Sequence, residues 1–470
     1  KIPTYVGYSE MVSKPQYAPL SPDIEFDDYL NESYTDEDMQ DSVRRVQETR
    51  EINKSINFTN VRKEKTNPEK KTRFYDVSNL SATLSYAEQY KRDFNTEYNT
   101  TKTYRGGLTY NYSASPKNYQ PFAKMKPFRK SKYLRLIRDF NFYLIPKQYS
   151  FTTNINRVYN EQKIRNNQPG IVAETEPFYN KSFNWNRQYS LRWDLSRALK
   201  LDFTANNVAL IEEPNGPVNR RFYEDEYEHW KDSVWNNVAN LGTNTNYNHS
   251  TNLTYTVPLN KIPFTDWINS TVRYGSTYNW ERAAFSADSL GNTIQNSQQW
   301  QVNASFNFVS LYNKSKFFRE VNRKSRLAER NRGKKKAKKE PETNPSDSTN
   351  TKKKKEKDKD EMRVIDHIGK LLMMVKNASA SYSVNQGIML PGYKPSSRLL
   401  GSSPDFSSPG LGFLVGQQDN FGTGNQNFLD HAMQRDWLVQ EETFNKMYTE
   451  TYSEQANFRV NIEPIKDLRI

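Results

Sequence analysis

The chain has no cysteine among its 470 residues. That excludes a disulfide framework and thiolate metal sites, and leaves the redox compartment open. Long apolar runs are missing as well: nowhere do 18 apolar residues follow one another, so no transmembrane helix is available. Apolar content is only 35% and mean hydropathy −0.97, well below the roughly 45–50% apolar usage of ordinary globular domains. A conventional multidomain enzyme is therefore disfavoured. No charged-then-apolar leader opens the chain. It starts and stops abruptly, and is expected to be a piece of something longer.

Catalytic wiring is equally scarce. The four histidines, His229, His249, His367 and His431, stand far apart with no HExxH spacing, so no metal site is expected. GLGFLVG at 410–416 has the wrong spacing for a dinucleotide loop, and its apolar residues favour packing. With no GxSxG and no cysteine, neither a Ser-His-Asp nor a Cys-His nucleophile can be assembled. Asp358 and Asp360 sit among lysines as solvated charges. No enzymatic activity and no cofactor are expected.

What the chain has instead is alternation. In HSTNLTYTVPLNKIPFTDWINSTVRYGSTYNWER (249–282), Leu253, Tyr255 and Val257 alternate with Asn252, Thr254 and Thr256 before a proline-marked turn. After it, Ile268, Val272, Tyr274, Tyr278 and Trp280 alternate with Asn269, Thr271, Arg273, Thr277 and Asn279. A period of two places the sets on opposite faces of a sheet. A soluble antiparallel sheet would alternate too. Length separates the readings: this strand keeps register for about 13 residues, against about 5–6 for soluble strands and 9–11 for membrane-spanning ones.

The same period recurs about ten times. It begins with Leu80, Ala82, Leu84 and Tyr86, and continues through Leu108–Ala114, Tyr149–Tyr159, Phe183–Leu195 and Leu201–Ala205. An eighth strand carries Trp300, Val302, Ala304, Phe306 and Phe308 against Gln301, Asn303, Ser305 and Asn307. Two more are marked by Met374–Val384 and Phe458–Ile462. If the strands run up and down, the short connections 196–200 and 258–264 share one end, with 464–470 as a further turn. The longer segments 161–180, 211–244, 284–296 and 387–444 share the other. That asymmetry fits an outer-membrane barrel with its short side periplasmic. The basic connections 116–145 and 313–367 break the rule.

The net charge of +14 is concentrated: residues 323–363 hold 17 Lys or Arg against 8 Asp or Glu, hence +9 of the total. RKSRLAERNRGKKKAKKE and KKKKEKDKDE could reach phosphates, but no aromatic is interleaved and no fold surrounds them. A solvated, disordered insertion is the preferred reading, and no nucleic acid is expected. In a periplasmic setting its functional version is attraction to anionic partners or to the inner leaflet.

Several spaced segments resemble a known family. They are KPFRKSKYLRLIRDFNFYLIPKQYSFTTNINRVYNEQ, LRWDLSRALKLDF, TVPLNKIPFTDWINSTVRYGSTYNW, FVSLYNKSKFF, IMLPGY with PGLGFLVG, and NIEPIKDLRI. Together, from about residue 58 onward, they look like the SprA/Sov family. Its members are the giant outer-membrane translocons of the type IX secretion system of Bacteroidota, also tied to gliding motility. The resemblance implies a very large single-chain barrel passing folded proteins, with secreted proteins as substrates, gating or plug subunits as partners, and the outer membrane as location. None of its motifs is catalytic, and the lysine run at 334–359 has no counterpart.

The expected architecture is all-β, with long antiparallel up-and-down strands forming part of such a barrel. Residues 1–75 would be an arm with a short helix near 36–52, and 76–312 about eight strands. The basic insertion 313–367 would be disordered and periplasmic, and 368–470 would add strands around the long loop 387–444. Asn269, Thr271, Arg273, Thr277, Asn279, Gln301, Asn303, Ser305 and Asn307 are assigned to the lumen. Ile268, Val272, Tyr274, Tyr278, Trp280, Trp300, Val302, Phe306 and Phe308 are assigned to lipid. Phe406, Leu411, Phe413, Phe421 and Trp437 would order the loop as an extracellular cap or an inward fold narrowing the pore. Alternative readings are a secreted or surface-attached adhesin, and a TonB-dependent transporter, for which neither a TonB box nor a plug motif is visible.

Overall fold

The computed structural model describes residues 1–19, 21–65, 73–125, 133–167, 175–336, 363–398, 400–418, 427–440 and 445–464. Fourteen strands are described: β1 (Thr4–Ser13), β2 (Tyr17–Ala18), β3 (Ser21–Glu25), β4 (Thr49–Arg62), β5 (Leu80–Arg92), β6 (Thr96–Ser113), β7 (Gln148–Ile164), β8 (Phe178–Asp194), β9 (Leu199–Leu210), β10 (Thr243–Val257), β11 (Ile268–Glu281), β12 (Asn292–Asn307), β13 (Val375–Tyr393) and β14 (Thr449–Ile462). β2 and β3 form a small ribbon of their own. The other twelve make one antiparallel sheet in the order β1-β4-β5 and then sequentially to β14. The fold is thus all-β and up-and-down. Among the described residues the sheet does not close, because β1 and β14 pair only inward, with β4 and β13.

Turn chemistry sets the tight hairpins. Asp93 Oδ1 accepts from the N–H of Asn95 at 3.0 Å and of Thr96 at 2.8 Å, which folds 93–95 into an Asx turn. Ser196 Oγ does the same work between β8 and β9, accepting from Ala198 N at 3.1 Å and Leu199 N at 2.9 Å. The strand ends are staggered. The row opposite Leu80, the first residue of β5, runs through Tyr110, Phe151, Tyr189, Ala205 and His249 to Tyr278, ten residues beyond Ile268 at the start of β11 (278 − 268). Over the six ladders between β5 and β11 that is a slip of about 1.7 residues per strand. At about 3.3 Å per residue and 4.8 Å between strands, it corresponds to a tilt of roughly 50°.

Connections at one end are 14–48, 93–95, 165–177, 211–242, 282–291 and 394–448; those at the other are 63–79, 114–147, 195–198, 258–267 and 308–374. Short and long connections occur at both ends, so length alone does not orient the sheet as the sequence reading supposed. Charge does distinguish them. Residues 14–48 carry ten acids against three basic residues and 211–242 seven against three, whereas 114–147 carry nine basic residues against one acid and 308–374 twenty-one against ten. The ends are called the acidic and the basic rim below.

The N-terminal 75 residues depart from the expected arm. The helix is Glu37–Gln47, capped by Asp36, and a second helix, Phe26–Ser33, precedes it and buries Phe26 and Leu30 against Ala18. Two sheet strands, β1 and β4, lie in the same region. Their alternation is hidden: β1 has Tyr5 and Met11 on one face and Val6 and Tyr8 on the other. β4 has Lys54 in its apolar phase and a bulge between Phe58 and Val61, with Asn60 at φ 51°. Likewise β13 runs on to Tyr393, so the loop expected from 387 begins at 394. Of the insertion 313–367, residues 316–336 and 364–372 are helical; the expectation of disorder otherwise falls on 337–362, which lie outside the described residues.

Candidate functional site

The sheet's two faces differ along its whole width. Cross-strand partners share a face, so the register fixes each one. One face is built of amides and hydroxyls. Its rows include Asn53, Gln89, Thr101 and Asn160 at one side, Thr152, Gln188, Asn206 and Asn248 in the middle, and Asn303, Ser381 and Asn457 at the other. All nine residues assigned to a lumen lie here: Asn269 faces Ser305, Thr271 faces Asn303, Arg273 faces Gln301, and Thr277, Asn279 and Asn307 continue the same phase. A hollow of about 600 Å³ on this face is lined by Ser150, Thr204, Asn206, Ser250 and Thr277.

The opposite face carries an apolar belt toward the basic rim. It passes through Ile56 and Phe58 on β4, Ala82 and Leu84 on β5, Leu108 and Tyr110 on β6, Tyr149 and Phe151 on β7, and Leu191 and Trp193 on β8. It continues through Leu201, Leu253, Val272, Val302, Tyr382 and Phe458. None of these positions is charged. Many are open to solvent: Leu84 is 57% exposed, Trp300 45%, Tyr382 44% and Phe458 80%. Charge returns on this face toward the acidic rim, as at Lys54, Glu88, Lys102, Arg157 and Arg187, and on the edge strand β14 at Glu454, which shares a row with Tyr274 and Trp300 and accepts from Tyr382 Oη. Ile268, Val272, Tyr274, Trp300, Val302 and Phe306 all lie in the belt. Phe308 has left the strand for a short helix, Phe308–Tyr312.

Tyr278 and Trp280 are on the same face but are not open. They are 1% and 2% exposed, covered by segment 394–448, so the expectation that they face lipid is revised. The segment folds onto the strands near the acidic rim, where Tyr247, Ile294, Ile388 and Leu390 supply an apolar floor for Phe413, Leu414, Ala432 and Trp437. Its backbone is met by side chains of the sheet. Tyr278 Oη donates to Gly401 O at 2.9 Å, Trp280 Nε1 to Pro395 O at 3.2 Å, and Asn244 Nδ2 to Ser397 O at 2.6 Å. Asn296, fully buried, donates to Phe413 O and Gln417 O, both at 3.1 Å. His249 Nε2 lies 2.7 Å from Leu414 O, which as a pure acceptor places the ring proton on Nε2. A Cβ at Gly401, where φ is +83°, would collide with the rings of Tyr247 and Tyr278.

The described part of the segment is therefore packed, as its apolar content implied, but on the belt side rather than over the hydrophilic face. Burial is the reason: Phe413 and Trp437 find an apolar floor only there. Phe406 and Leu411, expected to take part, are 49% and 72% exposed; Phe421 lies outside the described residues.

A second latch went unforeseen. Arg157 holds Glu213 through two bonds of 2.8 and 2.7 Å, and Trp230 Nε1 donates to Glu213 Oε2 at 2.6 Å. The guanidinium lies 4.9 Å from the Trp230 ring. This ties the helix Glu224–Ala239 to β7. The available signal was an arginine in apolar phase between Ile155 and Tyr159.

No described group of three or more His, Asp or Glu is placed to hold a metal, and no described helix is long and apolar enough to cross a membrane. Comparison with protein-family models and with curated proteins finds no match.

Proposed function

We propose that this sheet is a stretch of wall from a wide outer-membrane β-barrel, and that the barrel conducts proteins, as the likeness to the type IX translocons implies. The observation that carries the reading is the pairing of an exposed apolar belt, free of charge from β4 to β13, with an amide-hydroxyl surface of few charges on the other face. A secreted soluble sheet would have to leave a belt eleven strands wide in water, far beyond the few hundred Å² monomers usually expose. A spanning strand needs about 9–11 residues. β6 offers nine between Tyr104 and Tyr112 without a charge on the belt face, and β11 thirteen between Ile268 and Trp280, the last of them under the covering segment.

The hydrophilic face also favours passage over capture. Asn, Gln, Ser and Thr present hydrogen-bonding groups that water can match, with few charges and no apolar patch to retain a moving chain. Photocrosslinkers test this: one at Thr271 or Thr277 is expected to trap a secreted protein stalled in transit, and one at Val272 or Val302 to trap lipid. Equal capture of substrate from both faces, or none during a demonstrated stall, rejects the conduit and favours a surface β-protein.

A further inference from the structure

The covering segment, the Arg157–Glu213 latch and the two helices at the basic rim are the features that the channel reading leaves without a role. The helices carry an inference furthest. Val364–Leu372 leads into β13 at Val375, and Tyr312 Oη, from the end of β12, donates to Leu372 O at 2.8 Å. The helix therefore ends at the basic rim beside the start of β13, on which the belt resumes at Ala378 and Ala380.

Its own faces are sharply divided. Asp366 and Gly369 are buried against the helix Lys316–Lys336. There Lys324 Nζ donates to Asp366 Oδ2 at 3.0 Å, both side chains being about nine-tenths buried. Gly369 lets the helices approach: a Cβ would lie 3.0 Å from the Phe317 ring and 3.4 Å from Val321. At 100° per residue, Val364, Ile365, Ile368, Leu371 and Leu372 fall in one stripe about 120° wide. That stripe takes no part in the pairing and is open, from 51% at Leu372 to 79% at Val364. The paired helix has ten Lys or Arg against two Glu in its 21 residues.

We propose that these two helices form an anchor lying on the membrane surface at the basic rim. The stripe of Val364–Leu372 enters the boundary between headgroups and acyl chains, and the exposed Lys316 and Arg319 of the basic helix hold the phosphates of anionic phospholipid. Continuity with the belt fixes the depth, and charge complementarity selects the lipid. The ion pair between Lys324 and Asp366 makes the two helices one body. This inference rests on the membrane reading of the belt.

The absence of native cysteine makes the test clean. Single variants Ile368→Cys and Val302→Cys of the full chain, each labelled with an environment-sensitive fluorophore, are reconstituted into phosphatidylcholine vesicles with and without phosphatidylglycerol. Quenching is then read from lipids spin-labelled near the headgroup or deep in the chain. The Val302 label is expected to respond to the deep quencher in both compositions. The Ile368 label is expected to respond to the shallow quencher, at least about threefold more strongly when anionic lipid is present, and Lys316→Glu with Arg319→Glu removes that difference. An Ile368 label left unquenched while Val302 is quenched overturns the anchor alone, as it would if a protein covered the stripe. Shallow quenching indifferent to composition overturns the role given to anionic lipid. Two unquenched labels overturn the membrane reading and the anchor with it.

Discussion

Single residues on the belt face show what holds the acidic rim together. Glu213 is 2% exposed and receives three hydrogen bonds, two from Arg157 and one from Trp230. Removing one member of a buried ion pair strands the other, which costs about 3–5 kcal/mol. Arg157 keeps 12% exposure and stacking on Trp230, so Glu213→Gln is expected near the lower end, roughly 3 kcal/mol. The loss is local: the helix Glu224–Ala239 detaches while the ladders of β7 remain. Limited proteolysis should then cut within 211–242 well before the strands. A variant as resistant as the parent would mean that Val234 and Ile211, packed with Phe183, hold the helix unaided.

At the scale of elements, the helix pair at the basic rim has a pH dependence of known sign. The Arg363 backbone N–H at 2.9 Å, together with the Lys324 ammonium, holds the Asp366 carboxyl below its usual value. A depressed carboxylate contributes stability that is present above its unfolded pKa of about 3.9 and is lost as the pH falls through the folded value. The pair should thus be closed from neutrality down to about pH 4 and loosen below it. Asp366→Asn should remove the transition. Spin labels at Arg319→Cys and Ile368→Cys would report it as a widening distance distribution, and a widening unchanged in Asp366→Asn would assign it elsewhere.

The same scale shows what the sequence could reveal. Strands β5 to β14 and both faces of β11 and β12 were legible because period two holds over most of each, even where Glu88, Lys102 and Arg157 enter the apolar phase. β1 and β4 were not, since a lysine in apolar phase, a bulge and apolar residues on both faces erase that period. The covering segment announced itself by Phe413 and Trp437, but where it packs depends on Tyr247, Ile294 and Leu390, strands apart in sequence. The partnership of Lys324 with Asp366 spans 42 residues and has no local signature.

For the whole molecule, magnitude decides what the twelve strands can be. At about 4.8 Å between strands and a tilt of roughly 50°, each contributes about 7 Å of circumference, so the sheet supplies about 90 Å of wall. Rolled into a cylinder it would enclose a backbone diameter of about 29 Å, narrowed further by side chains. A folded domain of 150 residues has a radius of gyration near 15 Å, hence about 38 Å across. A conduit for folded proteins therefore needs more wall than this sheet provides, in keeping with edges at β1 and β14 that, among the described residues, pair on one side only. Those edges are long, ten and fourteen residues, and exposed edges template further pairing. In detergent the chain by itself is expected to associate through them, giving a spread of oligomers whose mean mass grows with concentration. Pro in place of Ala456 removes a backbone donor from β14 and should reduce that association. Mass photometry across a hundredfold dilution reads both outcomes. A monodisperse monomer at every concentration would mean that these twelve strands close on themselves, and the lumen would then be too narrow for a folded protein.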